Sequence, residues 1–189
     1  MKTIYSYIML WRSIFAFIMM ITNNNTAKII KKDAVRYCNA EITLLEILRL
    51  IVIHKTFRNV FYYRFRKNYI LRFLSMLLLR PLDQIEIEGD IGPGLLIYHK
   101  RGVTITCKKA GENLTIGPGV IIGKGDRNSE LGTSCPIIGD NVRIASGAIV
   151  FGGIKIGNNS IVGAGTVLNK DVPSNSVVVG NPAKIIKSE

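Results

Sequence analysis

The chain has 189 residues, 48% of them hydrophobic, with 25 Lys and Arg against 13 Asp and Glu. That is enough for one packed domain, or for a small helical domain beside a repeat domain. Its three cysteines, Cys38, Cys107 and Cys135, fall in no CxxC arrangement. This argues against a disulfide framework and fits a reducing compartment. The two histidines, His54 and His99, form no HExxH or paired-Cys zinc pattern, so no metal is expected.

The net charge of +12 is uneven. Met1–Arg80 holds 14 Lys and Arg against three acids, hence +11, while Leu82–Glu189 holds 11 against 10, hence +1. Nucleic acid is discounted as a partner, because no nucleic-acid motif accompanies the charge. A face near anionic phospholipid and a merely solvated basic face both stay open.

Met1 to Ile21 is strongly apolar but carries Arg12 near its middle. It is short for a membrane span, and the arginine is costly there. Lys2 is a thin n-region for a signal peptide, and Thr22 to Thr26 makes a poor cleavage site. Residues 1–26 are therefore read as an apolar leader, either an interfacial helix or a mis-started extension whose true start is Met19 or Met20. Residues 27–80 read as a helical region. Ala27 to Cys38 follows a polar Asn/Thr loop able to supply a cap. Ile42 to Phe57 is rich in Leu and Ile with a helical tendency, and contains His54, read as structural. Phe61–Arg64 and Tyr69–Leu79 continue as helix, with apolar faces that bury against each other or a neighbouring subunit. Pro81 stops the helical part.

From Ile85 the pattern turns to β, over a domain expected to span 81–187. Sextets anchor at Ile91, Ile97 and Val103. The phase then slips by one before Ile116 and Ile122, with Lys108–Asn113 expected to carry the slip. Lys124 to Cys135 breaks the pattern as a polar loop. From Pro136 to Pro173 every sixth residue is aliphatic: Ile138, Ile144, Val150, Ile156, Val162 and Leu168. A period of six fits neither a helix nor an alternating strand. It fits short strands stacked as coils of a β-helix, with small neighbours such as Gly139, Ala145, Gly157 and Gly163 at the turns. Asn169–Pro173 closes the last regular coil, Ser176–Val179 adds a strand, and Asn181-Pro182-Ala183 turns the chain.

Three segments carry a resemblance: Ile138-Gly139-Asp140-Asn141-Val142, Val162-Gly163-Ala164-Gly165-Thr166-Val167 and Val179-Gly180-Asn181-Pro182-Ala183-Lys184. They are similar to the hexapeptide-repeat acyltransferases, most of all the serine acetyltransferase-like branch, which includes enzymes that acetylate surface polysaccharides. The resemblance implies a mainly β fold, a left-handed parallel β-helix preceded by an α-helical region. It also implies a homotrimer with sites between adjacent β-helices, and acetyl-CoA as co-substrate. The loop 124–135 would reach towards the neighbouring subunit's site.

Acetyl transfer to a hydroxyl needs a base, an oxyanion donor and a group that orients the base. His99 lies where the family keeps its catalytic histidine. Glu86 is the orienting carboxylate by the same resemblance, with Asp83 and Glu88 as rivals. A backbone N–H near Gly117–Gly123 is the expected oxyanion donor. The pantetheine arm would lie along Ser146, Gly163 and Ala164, with Lys170 or Lys184 at the phosphates. Tyr98 and Arg127 are the acceptor-facing candidates. Serine acetyltransferases carry Asp where Tyr98 stands, and an Arg-His pair where Asp126-Arg127-Asn128 keeps only the arginine. The expected acceptor is accordingly a sugar or glycan hydroxyl, with free serine the alternative and a catalytically silent trimeric scaffold a third reading. The expected location is cytoplasmic, with the basic N-terminal region a candidate for peripheral contact with the inner membrane surface.

Overall fold

A computed structural model describes residues 7–126 and 131–188. The described chain changes character once, with helices before Asp83 and strands after Gln84, in two separate units.

In the helical unit a 3-10 turn at Leu10–Ser13 leads into α1 (Ile14–Thr22), α2 (Asn24–Cys38), α3 (Leu44–Ile53), α4 (Lys55–Arg64) and α5 (Tyr69–Leu78). The Asn23 side chain accepts from the Thr26 N–H at 3.0 Å, which starts α2 three residues earlier than expected. A capping box starts α3. Glu46 accepts from the Thr43 N–H at 2.8 Å, and Thr43 Oγ1 accepts from the Glu46 N–H at 3.3 Å.

The stretch from Ile42 to Phe57, with its helical tendency, holds α3 and the start of α4. The chain breaks at His54, which is exposed there rather than embedded in an apolar face. Arg58 caps the break. From α4 its guanidinium donates to the carbonyls of Ile51 and Val52 at 2.8 and 2.6 Å, satisfying the end of α3. It also donates to Arg80 O at 2.7 Å. Ala16, Met19, Ile30, Ile51, Phe57 and Phe61 are fully buried in one core, so the apolar N-terminal stretch packs within this unit. Arg12 donates to the Leu78 carbonyl, tying the start of α1 to the end of α5. Asp33 and Arg64 form a buried two-point ion pair at 2.8 and 3.0 Å.

The second unit is a β-solenoid of five coils. Ile85–Glu88 of β1 (Ile85–Ile91), Val103–Thr106 of β3 (Val103–Ala110), β5 (Ile121–Gly123), β8 (Ile149–Phe151) and β11 (Val167–Leu168) form the first face. The ends of β1 and β3 turn the corner to join β6 (Ile137–Ile138), β9 (Lys155–Ile156) and Val172 on the second face. The third face stacks β2 (Leu96–Ile97), β4 (Thr115–Ile116), β7 (Arg143–Ile144), β10 (Ile161–Val162) and β12 (Ser176–Val179). All these pairings are parallel, and β13 (Lys184–Ser188) folds back antiparallel on β12 after a cis Asn181–Pro182 peptide.

The sextet residues fill the interior. Ile144, Val150, Ile156, Val162 and Leu168 are fully buried, and Ile138 nearly so. Between the second and third faces Asn113, Asn141, Asn159 and Asn175 all take φ of 55–59°. Their side chains form a ladder of hydrogen bonds at 2.9, 3.0 and 3.1 Å. Asparagine tolerates this left-handed conformation better than other side chains do.

The phase slip has a different origin from the one expected. Ile105, not Val103, aligns with Ile122 in the stack. The turn from Ile97 to Ile105 is therefore two residues longer than a sextet, and the step from Ile105 to Ala110 is one shorter. Opposite that step, Gly89 faces both Cys107 and Lys108 in a bulge. Its φ is 115°, and a Cβ there would lie 2.2 Å from the Cys107 carbonyl oxygen, so only glycine fits. The stack is interrupted between Gly123 and Pro136. The spacing between successive coils jumps from 18 to 28 across them, and Gly125 N–H to Ser134 O at 3.0 Å closes the base.

Candidate active site

His99 lies in the enlarged turn between the third and first faces. Eight positions separate Ile97 from Ile105, against six for the equivalent pairs Ile116–Ile122, Ile144–Val150 and Val162–Leu168. The extra length pushes the turn out of the stack, and Tyr98, His99, Lys100 and Arg101 are all exposed. The Tyr98 N–H still donates to Ile116 O at 2.8 Å, and the Gly119 N–H to Arg101 O at 3.0 Å, so both ends of the turn are anchored. His99 itself has φ of 61°. Among the described residues the other non-glycine positions with positive φ are all asparagine. A histidine in this region is uncommon and costs about 1 kcal/mol or more, the kind of local strain that concentrates at functional sites.

The turns above it form one edge. Gly147 N–H donates to Pro118 O and Gly165 N–H to Ser146 O, each at 2.9 Å. The structure thus stacks Ser146, Gly163 and Ala164 along the edge that begins with His99. Ser146 and Ala164 are exposed. Gly163 has a packing reason of its own, since a Cβ there would come within 2.7 Å of Val179. Lys170 is on the next edge. It lines a cleft of about 290 Å³ with Asp126, Phe151, Gly152, Gly153, Ile154, Asn169 and Asp171, beside the base of loop 124–135. Lys184 is exposed at the start of β13, opposite Val179. Lys170 is therefore not brought together with the small residues, whereas Lys184 pairs with Val179, which packs against Gly163. Arg127 lies outside the described residues.

Glu86 and Glu88 are exposed on β1, in register with Thr104 and Thr106, while Asp83 belongs to the helical unit. Among the described residues His99 makes no hydrogen bond with Glu86 or Glu88. Catalytic hydrogen bonds are often formed only with substrate in place. Within the Gly117–Gly123 region the N–H groups of Gly117, Gly119 and Ile121 are engaged in coil-to-coil bonds of 2.8–3.0 Å. Burial pushes the Cys107 thiol up to about 12, with Cys135 and Asp90 adding to the effect. It stays protonated at neutral pH and is a poor nucleophile. Cys107 is therefore not a candidate for holding a covalent acyl intermediate. In the sequence Lys100 and Arg101 are polar neighbours of His99; the eight-residue step from Ile97 to Ile105 marks the turn that carries them.

Residues 135–170 match the family model "Bacterial transferase hexapeptide (six repeats)". A serine acetyltransferase of Staphylococcus xylosus is 43% identical over 128 residues, which cover 66% of this chain and 58% of that protein. One from Staphylococcus epidermidis is 38% identical over 143 residues, covering 74% and 62%. The chain thus spans about three fifths of the length of these relatives. The solved serine acetyltransferase of Neisseria gonorrhoeae in complex with serine has a TM-score of 0.68 at 25% identity, over 89% of this chain and 72% of that one. Registers, repeat match and relatives agree: this chain carries hexapeptide repeats of the bacterial transferase kind over residues 135–170 and is similar to serine acetyltransferases.

Proposed function

We propose that the protein is an acetyl-CoA-dependent O-acetyltransferase whose acceptor is serine or a small molecule built like it. The 43% identity to a serine acetyltransferase carries this reading. It displaces the sugar acceptor expected from the sequence as the leading reading. The sugar or glycan hydroxyl remains a second reading for one reason: the family's acidic residue before the histidine is Tyr98 here.

In this reading His99 takes the proton of the acceptor hydroxyl as its oxygen attacks the thioester carbonyl carbon. Glu86 steadies the imidazole. A new C–O bond forms, the C–S bond breaks, and CoA leaves with the proton returned through His99. Ser146, Gly163 and Ala164 flank the pantetheine arm, and Lys170 and Lys184 serve the CoA phosphates of one or another subunit. The site is completed in a homotrimer, between adjacent solenoids. The protein works in the cytoplasm, where its co-substrate is made. No helix among the described residues is long and apolar enough to cross a membrane. Peripheral membrane contact would fall to the exposed Tyr69, Ile70, Phe73 and Leu77 of α5 and the +11 charge of Met1–Arg80.

The test is CoA release from acetyl-CoA by the full chain, with L-serine against a panel of sugars and glycan intermediates. Turnover with serine supports the leading reading, and turnover with a glycan alone moves the second reading into its place. Acetyl-CoA binding with no release for any acceptor would leave the protein a silent scaffold.

A further inference from the structure

We propose that Lys100 and Arg101 form an anion clamp beside His99, which holds a carboxylate or phosphate of the acceptor and disfavours an ammonium group. The inference rests on the acetyltransferase reading and deepens it by naming the acceptor's charge. Three observations carry it.

First, the two cations directly follow His99, on the turn that is two residues longer than its equivalents. Both are exposed, and the turn is held at Tyr98 and Arg101 by backbone bonds to the next coil. They are thus carried on the same anchored turn as His99. Second, neither forms a salt bridge among the described residues. The stretch Leu82–Glu189 is nearly neutral overall, at +1, and two of its 11 cations stand side by side on this turn. Third, the residue before His99 is Tyr98, 46% exposed. It supplies a phenol and no charge, so nothing on this turn offers a counter-ion to an ammonium.

Charge-assisted bonds from an Arg fork and a Lys point charge suit a carboxylate or phosphate oxygen. CoA also carries phosphates, and they are the other source of the same chemistry. The acceptor is favoured because its hydroxyl must come within hydrogen-bonding reach of His99. The phosphates of CoA are held away from its thioester by the whole pantetheine arm.

The experiment measures CoA release at saturating acetyl-CoA with three probes that share a primary hydroxyl: L-serine, glycerate and ethanolamine. D-glucose 1-phosphate against D-glucose forms a second pair. The double variant Lys100→Gln/Arg101→Gln is compared with the native chain, and Arg101→Lys serves as the conservative control. Expected is turnover of glycerate at least equal to that of serine, little with ethanolamine, and preference for the phosphorylated sugar if a sugar is turned over. The double variant should lose at least about tenfold in kcat/KM for the anionic acceptor, the scale of one charge-assisted hydrogen bond. Its KM for acetyl-CoA should be unchanged.

Ethanolamine or glucose turned over as well as its anionic counterpart would overturn the clamp while leaving the acetyltransferase reading intact. A raised KM for acetyl-CoA in place of the acceptor effect would reassign the pair to CoA. If no acceptor releases CoA, the acetyltransferase reading falls, and glycerate is titrated against the ring signals of the two histidines by NMR. A shift of the His99 signal that the double variant abolishes supports the clamp, and its absence in the native chain rejects it.

Discussion

The two units of this chain hold together by different means. The solenoid repeats one solution: an aliphatic residue inside, a small residue at the turn, and an asparagine ladder along one corner. Each coil touches its neighbours only, so stability is a sum of similar local terms. The helical unit has no repeat. Its core closes around particular polar groups: Arg58 across the end of α3, Arg64 against Asp33, and Tyr62, whose hydroxyl donates to Leu79 O at 2.8 Å. The comparison teaches that a periodic scaffold absorbs a local departure, such as the enlarged His99 turn, without losing its register. A non-repeating core depends on single residues.

The largest expected effect is chemical and confined to the solenoid. His99→Asn keeps a side chain that tolerates the left-handed backbone while removing the base. Its kcat should fall about 100- to 10,000-fold with an unchanged melting temperature. A kcat within a factor of two of the native value would take the base role away from His99. Next comes the helical unit. Asp33→Ala leaves Arg64 buried, 5% exposed, without its carboxylate. A loss of about 3–5 kcal/mol is expected by denaturant unfolding. Retained stability would show that this core does not rest on single polar groups.

Ile156→Ala, at a fully buried rung, should cost about 2–5 kcal/mol with the damage centred on its own and adjacent coils. Hydrogen exchange would read that locality, and protection lost evenly along the solenoid would contradict nearest-neighbour stacking. Asn141→Ala should cost about 1 kcal/mol through backbone strain and lost ladder bonds, and Asn141→Gly should recover part of it. Equal melting temperatures for the two variants would remove the strain component.

The alkaline limb is the last test. Cys107 has its folded value raised from 9.0 to about 12, so its contribution is complete below pH 9 and is lost as pH rises towards 12. Tyr62 is raised in the helical unit by the same cause, burial. Cys107→Ala should flatten the alkaline loss of the solenoid alone, as followed by circular dichroism against pH.

The solenoid was legible from residue types alone, because a six-residue period leaves only one economical way to bury Ile138 through Leu168. The period of six stops at Lys124, and Pro81 is a residue that cannot continue a helix. The pairing of Arg64 with Asp33 was not legible, since the two are 31 positions apart and meet only through packing. Nor was the break at His54, because helical tendency runs through it and the Arg58 side chain that caps it folds back from the following helix. The slip between Ile97 and Ile116 was seen in the sequence as one residue. Only the registers resolved it into a turn lengthened by two and a step shortened by one. Opposite changes in neighbouring segments nearly cancel along the chain, and they separate only when each strand is matched to its partner in space. That separation presents His99, Lys100 and Arg101 together on one projecting turn.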